Sequence, residues 1–164
     1  MNSNQIRRIL YNYPKVNNCF IGVFSSDTLP NHDSQKCYPF CFIVNTAKSS
    51  APGEHWIAIF VLNSAEIEYF DSYGLPPTVP SIKKFVQQYP NFHYNSTRLQ
   101  GYSTCCGQYC TLFLIARQYG HPLKIITARF HANETALIRD ISVLSIVNNL
   151  ANLNLPLIDR DLLP

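Results

Sequence analysis

The chain has 164 residues, of which 46% are hydrophobic and only 14% are charged, with a formal net charge of +3. This length and composition predict a single globular domain over residues 1–164, able to bury a core without disulfides or metal. The charge is too small to predict nucleic-acid binding by itself, and no apolar run has the roughly 20 residues of a membrane span. Without a signal peptide, we expect no membrane partner and free thiols in a reducing compartment.

The first half of the chain predicts one helix followed by four strands. Apolar residues recur at helical spacing within residues 5–11. Short apolar segments separated by polar, Pro- or Gly-containing loops predict the strands, which are residues 19–24, 38–44, 55–62 and 66–70. The segment 38–44 is apolar on both faces, which predicts a central strand. The last two segments are separated by three residues and predict a hairpin.

The second half predicts further helices and one more strand. Residues 81–88 predict a helix capped by Ser81, and residues 92–99 predict a strand. Residues 106–119 predict an apolar helix that ends at Gly120, with Ser103 or Thr104 as its N-cap. Residues 122–130 are ambiguous. These elements predict an α+β fold with a mainly antiparallel central sheet flanked by helices.

The last predicted helix covers residues 134–150, and Asn133 is its expected cap. Apolar residues recur along it at helical spacing and predict one buried face, made of Leu137, Ile138, Ile141, Leu144 and Val147.

Two cysteine pairs, Cys37/Cys41 and Cys106/Cys110, have a spacing that also occurs in zinc sites. Both pairs lie in very apolar segments, which favours packed thiols over metal ligands. We therefore predict neither a metal nor another cofactor.

Cys106 is the candidate nucleophile because it lies where a loop meets the start of the predicted apolar helix. A thiol at a helix N-terminus faces unpaired backbone N–H groups and the positive end of the helix dipole, which favour the thiolate. The alternative is a buried core cysteine without a chemical role.

Catalysis by a cysteine needs a base, a group that orients the base, and donors for the oxyanion. His55 starts one strand of the predicted hairpin and Asp71 follows the other, so their side chains are expected to meet. His55 Nδ1–H would then donate to Asp71, leaving Nε2 for the thiol. Gln100 and the Cys106 backbone N–H would form the oxyanion hole. As isolated residues, His55 could be structural and Asp71 a turn former.

The order of these motifs resembles the adenain-like cysteine endopeptidases, the adenovirus virion protease family within the wider Ulp-type clan. The matching elements are His-Trp at 55–56, Asp-Ser at 71–72, Gln100 and Cys-Gly-x-Tyr-Cys at 106–110. The resemblance implies that Cys106 is the nucleophile, His55 the general base and acid, Asp71 the orienting acid and Gln100 the oxyanion donor. It also implies that Trp56 and Gly101 contact substrate, with a small residue, Gly, beside the scissile bond.

Three departures from the adenoviral pattern point to a smaller relative, from a virophage or a Polinton/Maverick-type element. Asp71 and the spacing from Gln100 to Cys106 resemble the Ulp-type enzymes. Tyr89 stands where the adenoviral enzymes carry the cysteine that binds a peptide cofactor, which argues against a covalent peptide activator. The low charge allows only a weak association with DNA.

The resemblance implies a viral thiol endopeptidase that cleaves precursor capsid or core polypeptides during virion maturation. Its expected location is the virion and the cytoplasm or nucleus of the infected cell. One alternative is an isopeptidase that removes ubiquitin-like modifiers with the same triad. A second is a non-catalytic capsid or DNA-binding component with a protease-like fold.

Overall fold

A computed structural model describes residues 1–31, 37–131 and 135–152. The helices are α1 (Ser3–Tyr11), α2 (Pro14–Asn17), α3 (Pro80–Val86), α4 (Cys106–Gln118), α5 (Leu123–His131) and α6 (Ala136–Asn152). The strands are β1 (Phe20–Ser25), β2 (Phe40–Asn45), β3 (Trp56–Asn63), β4 (Glu66–Phe70) and β5 (Asn91–Tyr94). None of the helices in these ranges is long and apolar enough to cross a membrane.

The strands form one five-stranded sheet in the order β1-β2-β3-β4-β5. The three central strands are antiparallel, as the sequence predicts, and β3 and β4 form the expected hairpin. At both edges the pairing is parallel, β1 with β2 and β5 with β4. The predicted central position of the second strand is confirmed, because β2 is buried along its whole length between two neighbours. The α+β prediction is therefore correct, and the sheet is mixed at its edges.

Alternate residues of the central strands face two separate apolar layers, as the two-residue period of a strand requires. On one face, Ala58 and Phe60 of β3 pack with α1, α4 and α6. On the other face, Ile57, Ile59 and Val61 pack with α3. Helix α4 is buried on nearly all sides, which explains why its sequence is apolar all round.

A buried ion pair links α4 to the sheet. The Arg117 guanidinium donates two hydrogen bonds to the Glu68 carboxylate, with Nε 2.5 Å from Oε2 and Nη2 3.1 Å from Oε1. The same guanidinium lies 4.8 Å from the centre of the Phe60 ring.

Several predicted element ends are wrong. The fifth strand ends at Tyr94 rather than at residue 99. The next residue, Asn95, bonds the backbone N–H and carbonyl of Asp71 through its side chain, so side-chain bonds replace the backbone ladder there. Helix α4 has Cys105 at its N-cap position without a side-chain hydrogen bond, so neither Ser103 nor Thr104 caps it. Helix α3 begins at Pro80, a residue type suited to the first helical position, and Ser81 is not its cap.

The ambiguous residues 122–130 largely belong to α5. The predicted cap Asn133 lies outside the described residues.

The predicted buried face of the last helix is also wrong in part. Leu137, Ile138 and Ile141 are 69%, 48% and 57% exposed. The inner face instead carries two buried charged residues, Arg139 and Asp140, followed by the buried Val143, Val147 and Leu150. Sequence periodicity missed this face because it treats charged residues as outward-facing.

Candidate active site

The hairpin of β3 and β4 places His55 and Asp71 at the same end of the sheet. Ala58 pairs with Phe70, and continuing this register places Asp71 opposite Ile57, two residues from His55. His55 Nε2 lies 2.9 Å from Asp71 Oδ1, which confirms that the two side chains meet. The predicted roles of the ring nitrogens are reversed, however, because Nε2 faces Asp71 and leaves Nδ1 for the Cys106 thiol.

Asp71 is 3% exposed, and three further hydrogen bonds fix its position. Its Oδ1 also accepts the Tyr73 backbone N–H at 2.8 Å. Its own backbone N–H donates to Asn95 Oδ1 at 2.8 Å, and its carbonyl accepts from Asn95 Nδ2 at 2.6 Å. The carboxylate therefore both forms the turn and orients His55, two roles that the sequence presents as alternatives. Sequence reasoning missed Asn95 because it placed this residue inside a strand.

Cys106 is the first residue of α4 and is buried. The next residue, Gly107, lets other groups approach closely, because a Cβ there would lie 3.1 Å from both Met1 Cβ and Trp56 Cδ1. Trp56 Nε1–H donates to the Met1 carbonyl at 3.1 Å, and the Cys110 thiol donates to the Trp56 carbonyl at 3.2 Å. Cys110 thus supports the strand that carries Trp56.

The surroundings of His55 and Cys106 favour an imidazolium–thiolate pair. Burial alone would lower the pKa of His55, but its hydrogen bonds to Asp71 and Cys106 outweigh burial and raise that pKa from 6.5 to about 9. Burial alone would raise the pKa of Cys106. The hydrogen bond and charge of His55, with the backbone N–H groups of Trp56 and Gly107, instead lower it below its ordinary value of 9.0.

The neighbouring thiols are held in the neutral form. Burial, together with the Asp140 carboxylate, raises the pKa of Cys105 to about 12, although a hydrogen bond with Ser103 opposes the rise. Burial also raises the pKa of Cys110 well above its ordinary value. Electrostatics therefore distinguish Cys106 from its adjacent thiol Cys105, in agreement with the sequence motif that points to Cys106.

Gln100 is 1% exposed and its side-chain amide is fully engaged. Its Oε1 accepts from Ser72 Oγ at 2.6 Å. Its Nε2 donates to the Ser103 carbonyl at 2.6 Å and, over a longer 3.4 Å, to the Tyr73 hydroxyl. The backbone N–H groups of Leu99 and Gln100 both donate to the Ser72 carbonyl at 2.9 Å. The turn after β4 and the loop before α4 are therefore joined directly.

Helix α6 binds the backbone of the loop before α4, a role that the sequence did not indicate. The Asp140 carboxylate accepts the Gly101 backbone N–H at 3.1 Å and the Tyr109 hydroxyl at 2.9 Å. Arg139 Nε donates to the Leu99 carbonyl at 3.0 Å. The signal in the sequence was the pair Arg-Asp inside a helix with no other charged residue.

His55, Gln100 and Cys106 line a cleft of about 570 Å³. Trp56 lines the same cleft, as expected for a residue that contacts substrate. Gly101 does not line it, because its N–H is turned towards Asp140 and it borders a separate cavity against α6. Within the described ranges, no three His, Cys, Asp or Glu side chains are grouped as metal ligands.

Three relatives are about one third identical in sequence to part of this chain. They are a putative thiol protease, R355, of Acanthamoeba polyphaga mimivirus (34% identity over 97 residues) and two proteins of African swine fever virus isolates. Of the latter, one is named cysteine protease S273R (35% over 94 residues) and the other SUMO-1 cysteine protease S273R (34% over 94 residues). All three are viral cysteine proteases by name.

The aligned segments cover 52% and 49% of this chain but only 32% and 34% of the mimivirus and swine fever virus proteins. The chain thus spans about a third of the length of these relatives. They come from viruses other than adenoviruses, so the adenain-like assignment stays a prediction. No family model matches the chain.

Two solved structures align with this fold. The central domain of Lpg1148 from Legionella pneumophila has a TM-score of 0.51 at 13% identity, covering 93% of this chain and 98% of that one. This likeness shows a shared fold alone. The African swine fever virus pS273R protease has a TM-score of 0.47 at 24% identity, covering 71% of this chain and 44% of that one.

Proposed function

We propose that the chain is a cysteine endopeptidase with Cys106 as nucleophile, His55 as general base and acid, Asp71 as orienting acid and Gln100 as oxyanion donor. The observation that carries the proposal is the position of His55 between Asp71 and Cys106 at the wall of a cleft: His55 Nε2 lies 2.9 Å from Asp71 Oδ1, and His55 lowers the pKa of the Cys106 thiol. The similarity to viral proteins named cysteine or thiol proteases supports it.

In the proposed reaction the Cys106 thiolate attacks the scissile carbonyl carbon, and the carbonyl oxygen takes up the negative charge. Gln100 Nε2–H and the Cys106 backbone N–H donate to this oxyanion. As the intermediate collapses, the His55 imidazolium gives its proton to the leaving amine. Water then attacks the thioester while neutral His55 takes its proton, and the acid product leaves as the Cys106 thiolate is expelled, which restores the imidazolium–thiolate pair.

The proposed substrates are precursor capsid or core polypeptides of a virus, cleaved in the virion or the infected cell. Trp56 narrows the cleft beside His55, which favours a small residue, Gly, next to the scissile bond. No covalent peptide activator is proposed, since Tyr89 is buried and carries no thiol. Any effect of DNA is expected to be weak because the net charge is only +3.

The test is hydrolysis of peptides with Gly or Leu beside the scissile bond, by the parent chain and by Cys106→Ser and Cys105→Ser variants. We expect Gly peptides to be cleaved faster, no cleavage by Cys106→Ser, and near-normal cleavage by Cys105→Ser. Activity retained in Cys106→Ser, or an equal loss in a correctly folded Cys105→Ser, contradicts the proposal. If the folded parent neither cleaves peptides nor is alkylated at Cys106, the chain is the non-catalytic component.

A second candidate function is release of a ubiquitin-like modifier, because one relative is named a SUMO-1 cysteine protease. The same triad performs this reaction. Turnover of capsid-precursor peptides and of ubiquitin-like fusion proteins, measured side by side, separates the two functions. Preference for the folded fusion by more than about tenfold in kcat/KM, equivalent to about 1.4 kcal/mol, assigns the chain to modifier release.

A further inference from the structure

We propose that Tyr73 is a positioning residue that couples the general base to the oxyanion donor, through its ring on His55 and its hydroxyl on Gln100. This inference rests on the proposed function and adds a residue to which the sequence motifs assign no role. Tyr73 lines the same cleft as His55, Gln100 and Cys106. It therefore lies beside the reacting groups without belonging to the triad.

The ring contact is close and nearly parallel. The ring centroids of Tyr73 and His55 are 4.9 Å apart, with an angle of 26° between the planes. The electron-rich face of a tyrosine attracts a cation, so this contact favours the imidazolium form of His55 and resists rotation of its ring. The backbone N–H of Tyr73 donates to Asp71 Oδ1 at 2.8 Å, the atom that also faces His55 Nε2.

The Tyr73 hydroxyl contacts the side-chain amide of Gln100, the proposed oxyanion donor, in the absence of substrate. Gln100 Nε2 carries two hydrogens, and the Ser103 carbonyl takes one of them at 2.6 Å. The Tyr73 hydroxyl takes the other over 3.4 Å, a weaker bond that is easily exchanged. The hydroxyl thus keeps one N–H turned to the cleft wall, from which it can transfer to a substrate oxyanion.

Among the described residues, the titratable groups that act on Tyr73 are Cys106, Arg98, Cys105 and Asp71. Asp71, Cys106 and Tyr73 face His55. The Arg98 guanidinium lies 5.4 Å from the centre of the Tyr73 ring and binds the carbonyls of Gln100 and Gly101, at 3.0 and 3.1 Å. Arg98 therefore joins Tyr73 to the loop that carries the oxyanion donor.

Two substitutions separate the two contacts of Tyr73. Tyr73→Phe removes the hydroxyl and keeps the ring, whereas Tyr73→Leu removes both. Tyr102→Leu is the matched control, because Tyr102 is fully exposed and its ring also lies 5.4 Å from the Arg98 guanidinium, but it does not line the cleft. All variants carry Cys37→Ser, since Cys37 is an exposed thiol that would react with the probes.

For Tyr73→Phe we expect kcat to fall about tenfold, with KM within about twofold of the parent value. This fall is smaller than that caused by removing an oxyanion donor itself, because Gln100 remains. The NMR signal of the Gln100 side-chain amide should move, while the pH profile of Cys106 alkylation stays in place. For Tyr73→Leu we expect, in addition, a pKa of His55 about 0.5 lower and an alkylation profile displaced to higher pH. Tyr102→Leu should match the parent in every measurement.

Unchanged kcat and an unmoved Gln100 amide signal in Tyr73→Phe overturn the hydroxyl contact. An unchanged alkylation profile in Tyr73→Leu overturns the ring contact. The NMR and alkylation measurements do not require a cleavable substrate. If the parent cleaves no peptide, the proposed function fails while these two measurements still decide the role of Tyr73.

Discussion

Replacement of Asp71 by Asn removes the negative charge beside His55 and keeps an oxygen that can accept the Tyr73 N–H. The rise in the pKa of His55 from 6.5 to about 9 corresponds to about 3 kcal/mol of imidazolium stabilisation, shared between Asp71 and Cys106. A hydrogen bond to a charged group is worth about 1.5–3 kcal/mol. Taking about 2 kcal/mol for Asp71, we expect kcat/KM to fall about 30-fold with the fold intact.

The assay combines peptide hydrolysis with the pH profile of Cys106 alkylation by iodoacetamide. In the parent, alkylation should rise at a pH below 9, because the pKa of Cys106 is lowered. Hydrolysis should fall as the pH passes about 9, where His55 loses the proton that the leaving amine needs. In Asp71→Asn the imidazolium is less stable, so hydrolysis should fall at a lower pH and alkylation should rise at a higher pH.

The matched control is Glu66→Gln, which removes a carboxylate 3.8 Å from His93 in a solvent-exposed pair. Exposed pairs contribute little, so its rate and both pH profiles should match those of the parent. If Asp71→Asn also matches the parent in rate and profiles, the reasoning is refuted and Asp71 serves only as a turn former.

Two further predictions concern stability and are measured by urea unfolding. Gly74→Ala should lower the unfolding free energy by about 3 kcal/mol, because Gly74 has φ +69° and a Cβ would lie 2.5 Å from the Thr97 backbone carbon. Gly120→Ala, at φ +91° with open space around it, should cost only about 1 kcal/mol, so equal losses would contradict this explanation. Arg117→Met should cost about 3–5 kcal/mol by leaving the Glu68 carboxylate buried without a partner. Adding Glu68→Gln to Arg117→Met should restore most of the lost stability. A cost below about 1 kcal/mol for Arg117→Met alone would show that the fold does not need the Arg117–Glu68 ion pair.

The meeting of His55 and Asp71 was predictable because it follows from local geometry. A hairpin with a short connection returns the chain to its starting edge, so residues that flank the two strands meet whatever the rest of the fold does. The buried position of β2 followed in the same way from an unbroken apolar run. The nitrogen that faces Asp71 was not predictable, since it depends on the direction from which α4 brings Cys106 to the ring.

The supports of the site could not be predicted because they depend on contacts between distant segments. Asn95 binds Asp71 across 24 residues of sequence, and Asp140 binds Gly101 across 39. A buried Asp in an apolar helix has no local pattern that separates it from a solvent-facing one. Tyr73 was missed for the same reason, since its neighbours His55 and Gln100 lie in two other segments.

The bond between the Met1 carbonyl and the Trp56 indole has a practical consequence for producing the protein. Met1 forms part of the cleft wall, so a purification tag joined ahead of it would start beside Cys106. Such a tag would compete with added peptides for the cleft and lower the apparent rate. Recombinant material for all of these assays should therefore have its tag removed or carry it away from residue 1.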